Sequence, residues 1–289
     1  MHYDGTIFRP PREAHSILLQ VTTGCSHNKC TFCGMYKGIR FAIKDEATIF
    51  NDIAFAAACC RNQHRLFLCD GDALIIPQKR LVAILSEINK KLPWVNRIGT
   101  YANTRSIRKK SIEELEELKD LGLEIAYMGL ETGDDVTLER IQKGADSAEM
   151  IEMGRKIRTA GIKLSLTVLL GIAGKKRSFI HATETGRVLS AIDPEYVAVL
   201  TLMLTPNTEA YEEFQNKTRS VPEPMELLQE LSTMFEATHL SKGQFHANHA
   251  SNYLPISARL PRDREKIRKF IADALKGSVL LKPEYMRRL

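Results

Sequence analysis

Cys25-Ser-His-Asn-Lys-Cys30-Thr-Phe-Cys33 is the stretch on which the reading of this sequence turns. Three thiols fall within nine residues, spaced by Ser, His, Asn, Lys and Thr. Buried free cysteines normally sit in apolar runs, so polar spacers point to ligands rather than core fillers. Directly upstream, Ser16 to Val21 (Ser-Ile-Leu-Leu-Gln-Val) reads as an apolar strand. The cysteines therefore stand at a strand's carboxyl end, where parallel α/β architectures gather their chemistry.

Outward from the loop, a beat of apolar strand, loop and amphipathic helix repeats. A helix is expected over 47–60 with Asp45 as cap, then a strand over 65–69 and a helix over 77–92 begun by proline. A third strand lies near 97–102. Ser111-Ile-Glu-Glu is a capping box, and Gly122 ends the helix it opens. Strands over 123–130, 162–170 and 196–204 complete six. Helices are expected from Asp146-Ser-Ala-Glu to Gly161 and over 179–191. Six alternations with short loops imply parallel strands joined by right-handed crossovers. Six units are fewer than the eight of a closed barrel, so an open partial barrel or a doubly wound sheet is expected. After Thr205-Pro206 the rhythm changes to a helix over 224–240, an irregular polar segment to Ser257 and a helix over 262–275. This stretch reads as an extension over the open side. The domains expected are a lead-in at 1–15, a barrel at 16–215 and the extension at 216–289.

The chain has 289 residues, 44% hydrophobic and 26% charged, the balance of an ordinary globular protein. Lys and Arg exceed Asp and Glu by 41 − 35 = 6. That surplus fits an anionic or nucleic-acid partner no better than a small molecule, and the basic runs near the C-terminus read as solvated surface. No apolar run approaches the roughly 18 to 20 residues that span a bilayer, and the start lacks signal-peptide grammar. These features argue against membrane spanning, secretion, disorder and a disulfide-rich fold, and a cytoplasmic location is expected.

Two metals compete for the loop. A structural zinc needs four protein ligands, and the fourth would be either His27, at a cramped spacing, or a distant residue. A cubane iron–sulfur cluster normally takes four thiolates; three leave one iron open, which suits catalysis. The sequence favours the cluster. Here the loop resembles that of the radical S-adenosylmethionine (radical SAM) superfamily, whose usual spacing is Cys-x3-Cys-x2-Cys with an aromatic before the last cysteine. Phe32 supplies the aromatic. The departure is one extra residue between the first two cysteines, and variant spacings occur in the superfamily.

The resemblance runs through residues 16 to 215, with its elements in order at successive strand ends. Asp70-Gly71-Asp72 stands where relatives receive the SAM amino group, with Asp72 the expected carboxylate. Asn103, after the third strand, would contact the adenosyl group or substrate. Tyr127-Met-Gly-Leu-Glu131-Thr-Gly133 and the following Lys143-Gly144 look like coproporphyrinogen-oxidase-like and methylthiotransferase-like branches. By that likeness Glu131 would hold the ribose hydroxyls and Lys143 the SAM carboxylate. Gly171, in Gly171-Ile-Ala-Gly174, would let backbone approach adenine. The fold implied is α/β, a partial (β/α)6 parallel barrel of radical SAM type with a helical C-terminal extension. Cys25, Cys30 and Cys33 would hold a [4Fe–4S] cluster. S-adenosylmethionine would chelate its fourth iron, then split reductively into methionine and a 5′-deoxyadenosyl radical that takes hydrogen from a substrate.

Phe245-His246-Ala-Asn248-His249-Ala-Ser251-Asn252-Tyr253 is too polar for core. It supplies the candidate catalytic residues His246, His249 and Asn252. Cys59 and Cys60 are expected to pack on the first long helix. The partners implied are a small-molecule or nucleoside substrate and a low-potential electron donor such as flavodoxin or ferredoxin. A membrane is not expected, and nucleic acid is possible but not indicated. Two alternatives from other classes stay open: a non-catalytic heme-handling protein with His246 and His249 as iron ligands, and a zinc-stabilised RNA-binding module.

Overall fold

The computed structural model describes residues 1–288. Its contacts divide the chain into two units. The first comprises Met1–Asn28, Met35–Met128 and Met153–Leu164; the second comprises Lys29–Gly34, Gly129–Glu152 and Ser165 onward.

In the first unit, β1 (Ile17–Gln20) leads into a short antiparallel pair, β2 (Thr22–Thr23) with β3 (Ala42–Ile43). Helix α1 (Glu46–Cys59) starts where Asp45 accepts a hydrogen bond from the Thr48 amide, as the sequence predicts. Cys59, expected to pack, is instead exposed in its last turn. Then come β4 (Arg65–Cys69), α2 (Gln78–Lys91), β5 (Arg97–Ala102), a short α3 (Thr104–Arg108), α4 (Ile112–Asp120) and β6 (Leu123–Glu131). Strands β1, β4, β5 and β6 lie side by side and parallel. Their side chains are buried almost throughout, as a sheet covered on both faces requires. Ser111 opens α4 with a full capping box, and Gly122 leaves it with φ +97°, a conformation glycine adopts without Cβ strain.

The second unit begins with the last residues of β6, followed by α5 (Asp135–Arg140) and the start of α6 (Ser147–Thr159). Strand β7 (Lys163–Leu170), α7 (Ser178–Ile192), β8 (Tyr196–Thr201), α8 (Glu209–Gln215) and α9 (Pro224–Ala237) succeed them. The sequence predicts an irregular segment from there to Ser257. In its place stand β9 (Gly243–His246), parallel to β8, and β10 (Ser257–Leu260), antiparallel to β9. Their alternation of buried and exposed side chains is only four residues long, too short to stand out against the intervening His, Asn and Ser. Helix α10 (Arg264–Leu275) follows. The eight strands from β1 and β4 to β10 make one mostly parallel sheet, an α/β fold. Among the described residues no helix is long and apolar enough to cross a membrane.

Candidate functional site

Within the first unit, Cys25 lies beside the turn that ends β4. Gly71 donates its amide to Gly24 O at 3.1 Å. A Cβ on Gly71 would stand 2.9 Å from Cys25 Cα and Cβ, so the close approach of the two loops demands glycine. Next to it Asp72 is fully buried. Its Oδ2 accepts from Ser26 Oγ at 2.6 Å and from Asn103 Nδ2 at 2.8 Å. Its Oδ1 is buried with no hydrogen-bond partner. Burial pushes the Asp72 carboxyl up to about 6, against the hydrogen bonds from Ser26, Ser106 and Asn103 that favour its anion. Asn103 is held in turn, because its side chain caps α3 in a reciprocal box with Ser106. Asp70, at φ +70°, does not share this position. It accepts from Gln20 Nε2 at 2.8 Å and from the buried Tyr36 hydroxyl at 3.4 Å.

Within the second unit, the segment carrying Cys30, Phe32 and Cys33 is held at both faces of Thr31. The Thr31 amide donates to Ile141 O at 3.0 Å, and its carbonyl accepts from the Ala210 amide at 3.0 Å. Phe32 packs on the buried cluster of Ile141, Leu169, Ile172 and Leu202. The same turn brings Lys143 Nζ to Glu131 Oε1 at 2.9 Å, with both side chains nearly buried. Burial disfavours the Lys143 cation. Glu131, and then Cys30 and Cys33 as electrostatic neighbours, outweigh that cost and lift it to about 12. Glu131 itself sits at φ +64°, a conformation uncommon outside glycine, at the end of β6. Gly171, at φ +81°, ends β7 and donates its amide to Glu230 Oε1 at 2.6 Å.

Each of the three predicted catalytic residues makes hydrogen bonds to its neighbours. Asn252 is buried; its Oδ1 accepts from Thr201 Oγ1 at 2.8 Å and its Nδ2 donates to Val199 O at 2.7 Å. Both ends of the amide are thus spent on β8. Ser251 Oγ accepts from the Thr201 amide at 3.1 Å and meets His249 Nδ1 at 2.9 Å. Burial, with Lys282 nearby, holds the His249 imidazole below its usual range. His246, on β9, has Nδ1 3.3 Å from Ser257 Oγ and Nε2 3.0 Å from Gln244 Oε1.

Ser26 and the buried pair of His181 and Glu230 were not singled out by the sequence reading. His181 Nδ1 lies 2.7 Å from Thr132 Oγ1, and its Nε2 is 3.3 Å from Glu230 Oε1. Glu230 therefore meets both the β7 terminus and a residue tied to the β6 terminus. Its signal in the sequence is one acid inside the apolar face of α9.

None of the three loop cysteines is in a disulfide. Among the described residues, no three His, Cys, Asp or Glu side chains stand ready as a metal-holding group. The donor set nonetheless fits an iron–sulfur cluster, which is held by thiolates. Asp72 fits a cationic ligand, since its orphaned Oδ1 is a buried acceptor that a donor would complete.

The mostly parallel α/β sheet carries a three-thiol loop after its first strand. The radical SAM superfamily model matches residues 19–182, and the chain belongs to that superfamily. Its cofactors are a [4Fe–4S] cluster and S-adenosylmethionine. The heme chaperone HemW of Bacillus subtilis (strain 168) is 24% identical over 185 residues, 64% of this chain and 47% of that protein. The chain thus spans about half of this relative's length. Among solved structures, the radical SAM methyltransferase TsrM of Kitasatospora setae, with cobalamin and a [4Fe–4S] cluster bound, aligns with TM-score 0.56 at 17% identity. That match covers 72% of this chain and 41% of TsrM. Coproporphyrinogen III oxidase (HemN) of Escherichia coli aligns with TM-score 0.56 at 14% identity, covering 76% of this chain and 52% of that one. At these identities the structural likenesses speak for the fold.

Proposed function

We propose that the chain is a radical SAM enzyme that cleaves S-adenosylmethionine reductively and abstracts hydrogen from a small-molecule or nucleoside substrate. The observation that carries the reading is Asp72: a buried carboxylate beside Cys25, with one oxygen fixed by two donors and the other unpaired. Cys25, Cys30 and Cys33 would hold the cluster. When bound, the cluster and SAM supply an electron and a 5′-deoxyadenosyl radical, chemistry no side chain here performs.

The protein's part is to bind and orient. Asp72 Oδ1 accepts the amino group of SAM, and the ammonium offsets the burial that makes the free anion costly. Ser26 and Asn103 fix the rotamer of that carboxylate. Lys143 takes the SAM carboxylate while Glu131, its partner, accepts the ribose hydroxyls. Gly171 presents backbone to the adenine, its turn steadied by Glu230. Reduction comes from a low-potential donor of the flavodoxin or ferredoxin kind.

The test is SAM binding and cleavage by the anaerobically reconstituted protein. Asp72→Asn is expected to weaken SAM binding by about tenfold, the scale of one charge-assisted hydrogen bond. Unchanged affinity would remove Asp72 from the account.

A second reading, a heme-handling protein, draws on the similarity to HemW. His246 and His249 would be its iron ligands. A heme titration shows a Soret shift lost in His246→Ala/His249→Ala if that reading holds. Without a shift in the parent, it falls.

A further inference from the structure

Arg219, in the loop after α8, is a guanidinium buried without enough acceptors. Its side chain is 7% exposed. Nη1 reaches Glu213 Oε2 at 3.4 Å, a long contact to a carboxylate that is itself 40% exposed. Nε and Nη2 are buried and meet no acceptor.

A second guanidinium stands at the same turn. Arg140, the last residue of α5, donates from Nη2 to Ile172 O at 3.1 Å and Ala173 O at 3.0 Å. The next residue, Gly174, has φ +72°. A Cβ there would lie 3.7 Å from Arg219 Cγ, 3.8 Å from its Nε and 3.2 Å from Ser220 O. The Lys175 amide, donating to Ser220 O at 3.1 Å, pins the Arg219 loop to this turn. Two cations therefore flank residues 172–174, and the one carboxylate shown to meet Arg219, Glu213, is half-exposed. Burial first, and Arg140 second, disfavour the charge on Arg219. A buried charge with open donors is costly unless an anion completes it.

We propose that Arg219, with Arg140, forms a binding site for an oxyanion, a carboxylate or phosphate group carried by the substrate. Guanidinium presents paired N–H donors that match both groups, and here Nε and Nη2 are the open pair. The position suits this role. Arg140 precedes Lys143 by three residues, and the turn it holds begins at Gly171. An anion seated there lies on the segments proposed above to meet SAM. The word substrate rests on the enzyme reading; the oxyanion site stands on the geometry of this unit alone.

The test is a calorimetric titration of the reconstituted protein with inorganic phosphate in chloride buffer, without and with saturating SAM. The parent is expected to bind one phosphate in both conditions. Arg219→Gln is expected to weaken binding by about tenfold or more. Glu213→Gln, which removes the competing carboxylate, is expected to tighten it several-fold, a gain that misfolding cannot mimic. The proposal is overturned by a parent that binds no phosphate, by an Arg219→Gln variant that binds as the parent does, or by displacement of phosphate by SAM. The last result would assign the site to the SAM carboxylate. Because the titration needs no turnover, a protein that never cleaves SAM would sink the enzyme reading and leave the oxyanion result standing.

Discussion

Ser26, the residue after the first loop cysteine, donates its hydroxyl to Asp72 Oδ2 at 2.6 Å. This bond ties the cysteine loop to the acid after β4. Asn103 Nδ2 reinforces it from the end of β5, 3.2 Å from Ser26 Oγ and 2.8 Å from Asp72 Oδ2. The segments that follow β1, β4 and β5 thus meet at one buried carboxylate, Asp72, which takes a donor from each of the other two.

That carboxylate carries a pH-dependent cost. The folded pKa of Asp72 is raised to about 6 from 3.8 by burial, so the folded state holds its proton more tightly than the unfolded state. Stability from the protonated group is present below about pH 4 and is lost as pH rises through about 6. Asp72→Asn escapes the loss. It should exceed the parent by about 2 to 3 kcal/mol above pH 6, from about two pK units at 1.36 kcal/mol each. Thermal melts across pH 4 to 8 check this, and a difference independent of pH would contradict it. SAM affinity of the parent should rise over the same interval, because only the anion pairs with an ammonium.

Gly71 is fixed by crowding. Gly71→Ala would drive its methyl into the backbone of Cys25 at 2.9 Å and the Gly24 carbonyl at 3.0 Å. The variant should fold yet bind clearly less than its full complement of iron on reconstitution. Iron and sulfide analysis at full parental stoichiometry would contradict the expectation.

The Lys143–Glu131 pair is mutually dependent. Removing either partner leaves a nearly buried charge alone, which costs several kcal/mol where burial is complete and less here. A double-mutant cycle with Lys143→Met and Glu131→Gln should therefore show a coupling of about 1 to 3 kcal/mol. Additive effects would mean that the pair contributes nothing as a pair.

Asn252 holds β8 through two buried hydrogen bonds. Asn252→Ala should cost about 2 kcal/mol, near 1 kcal/mol per bond, with more where a partner is left unsatisfied. Chemical denaturation reads it directly. A variant as stable as the parent would free the side chain for the catalytic role assigned by sequence.

Much of the fold is legible in the sequence because local rules and global packing agree. Asp45 and Ser111 cap the helices they announce, and Gly122 and Gly161 take positive φ where helices stop. Apolar runs become β4 to β8 because burial on both faces needs them. What the sequence does not announce has physical reasons. Strand β9 carries a single apolar side chain, Phe245, and short helices such as α3 and α5 span fewer than two turns. Ser26 looks like a spacer between ligands until Asp72 is placed beside it. Arg219 reads as one more surface cation, since sequence carries no record of which cations lose their water. Glu131, Lys143 and Asp72 were named from resemblance; their burial and pairing come only from the structure.

The most direct measurement is reconstitution with iron and sulfide under anaerobic conditions, followed by SAM and dithionite, with 5′-deoxyadenosine and methionine assayed beside a Cys30→Ala control. The account predicts both products from the parent and neither from the control. A loaded cluster that leaves SAM intact, or products that persist without Cys30, would contradict it.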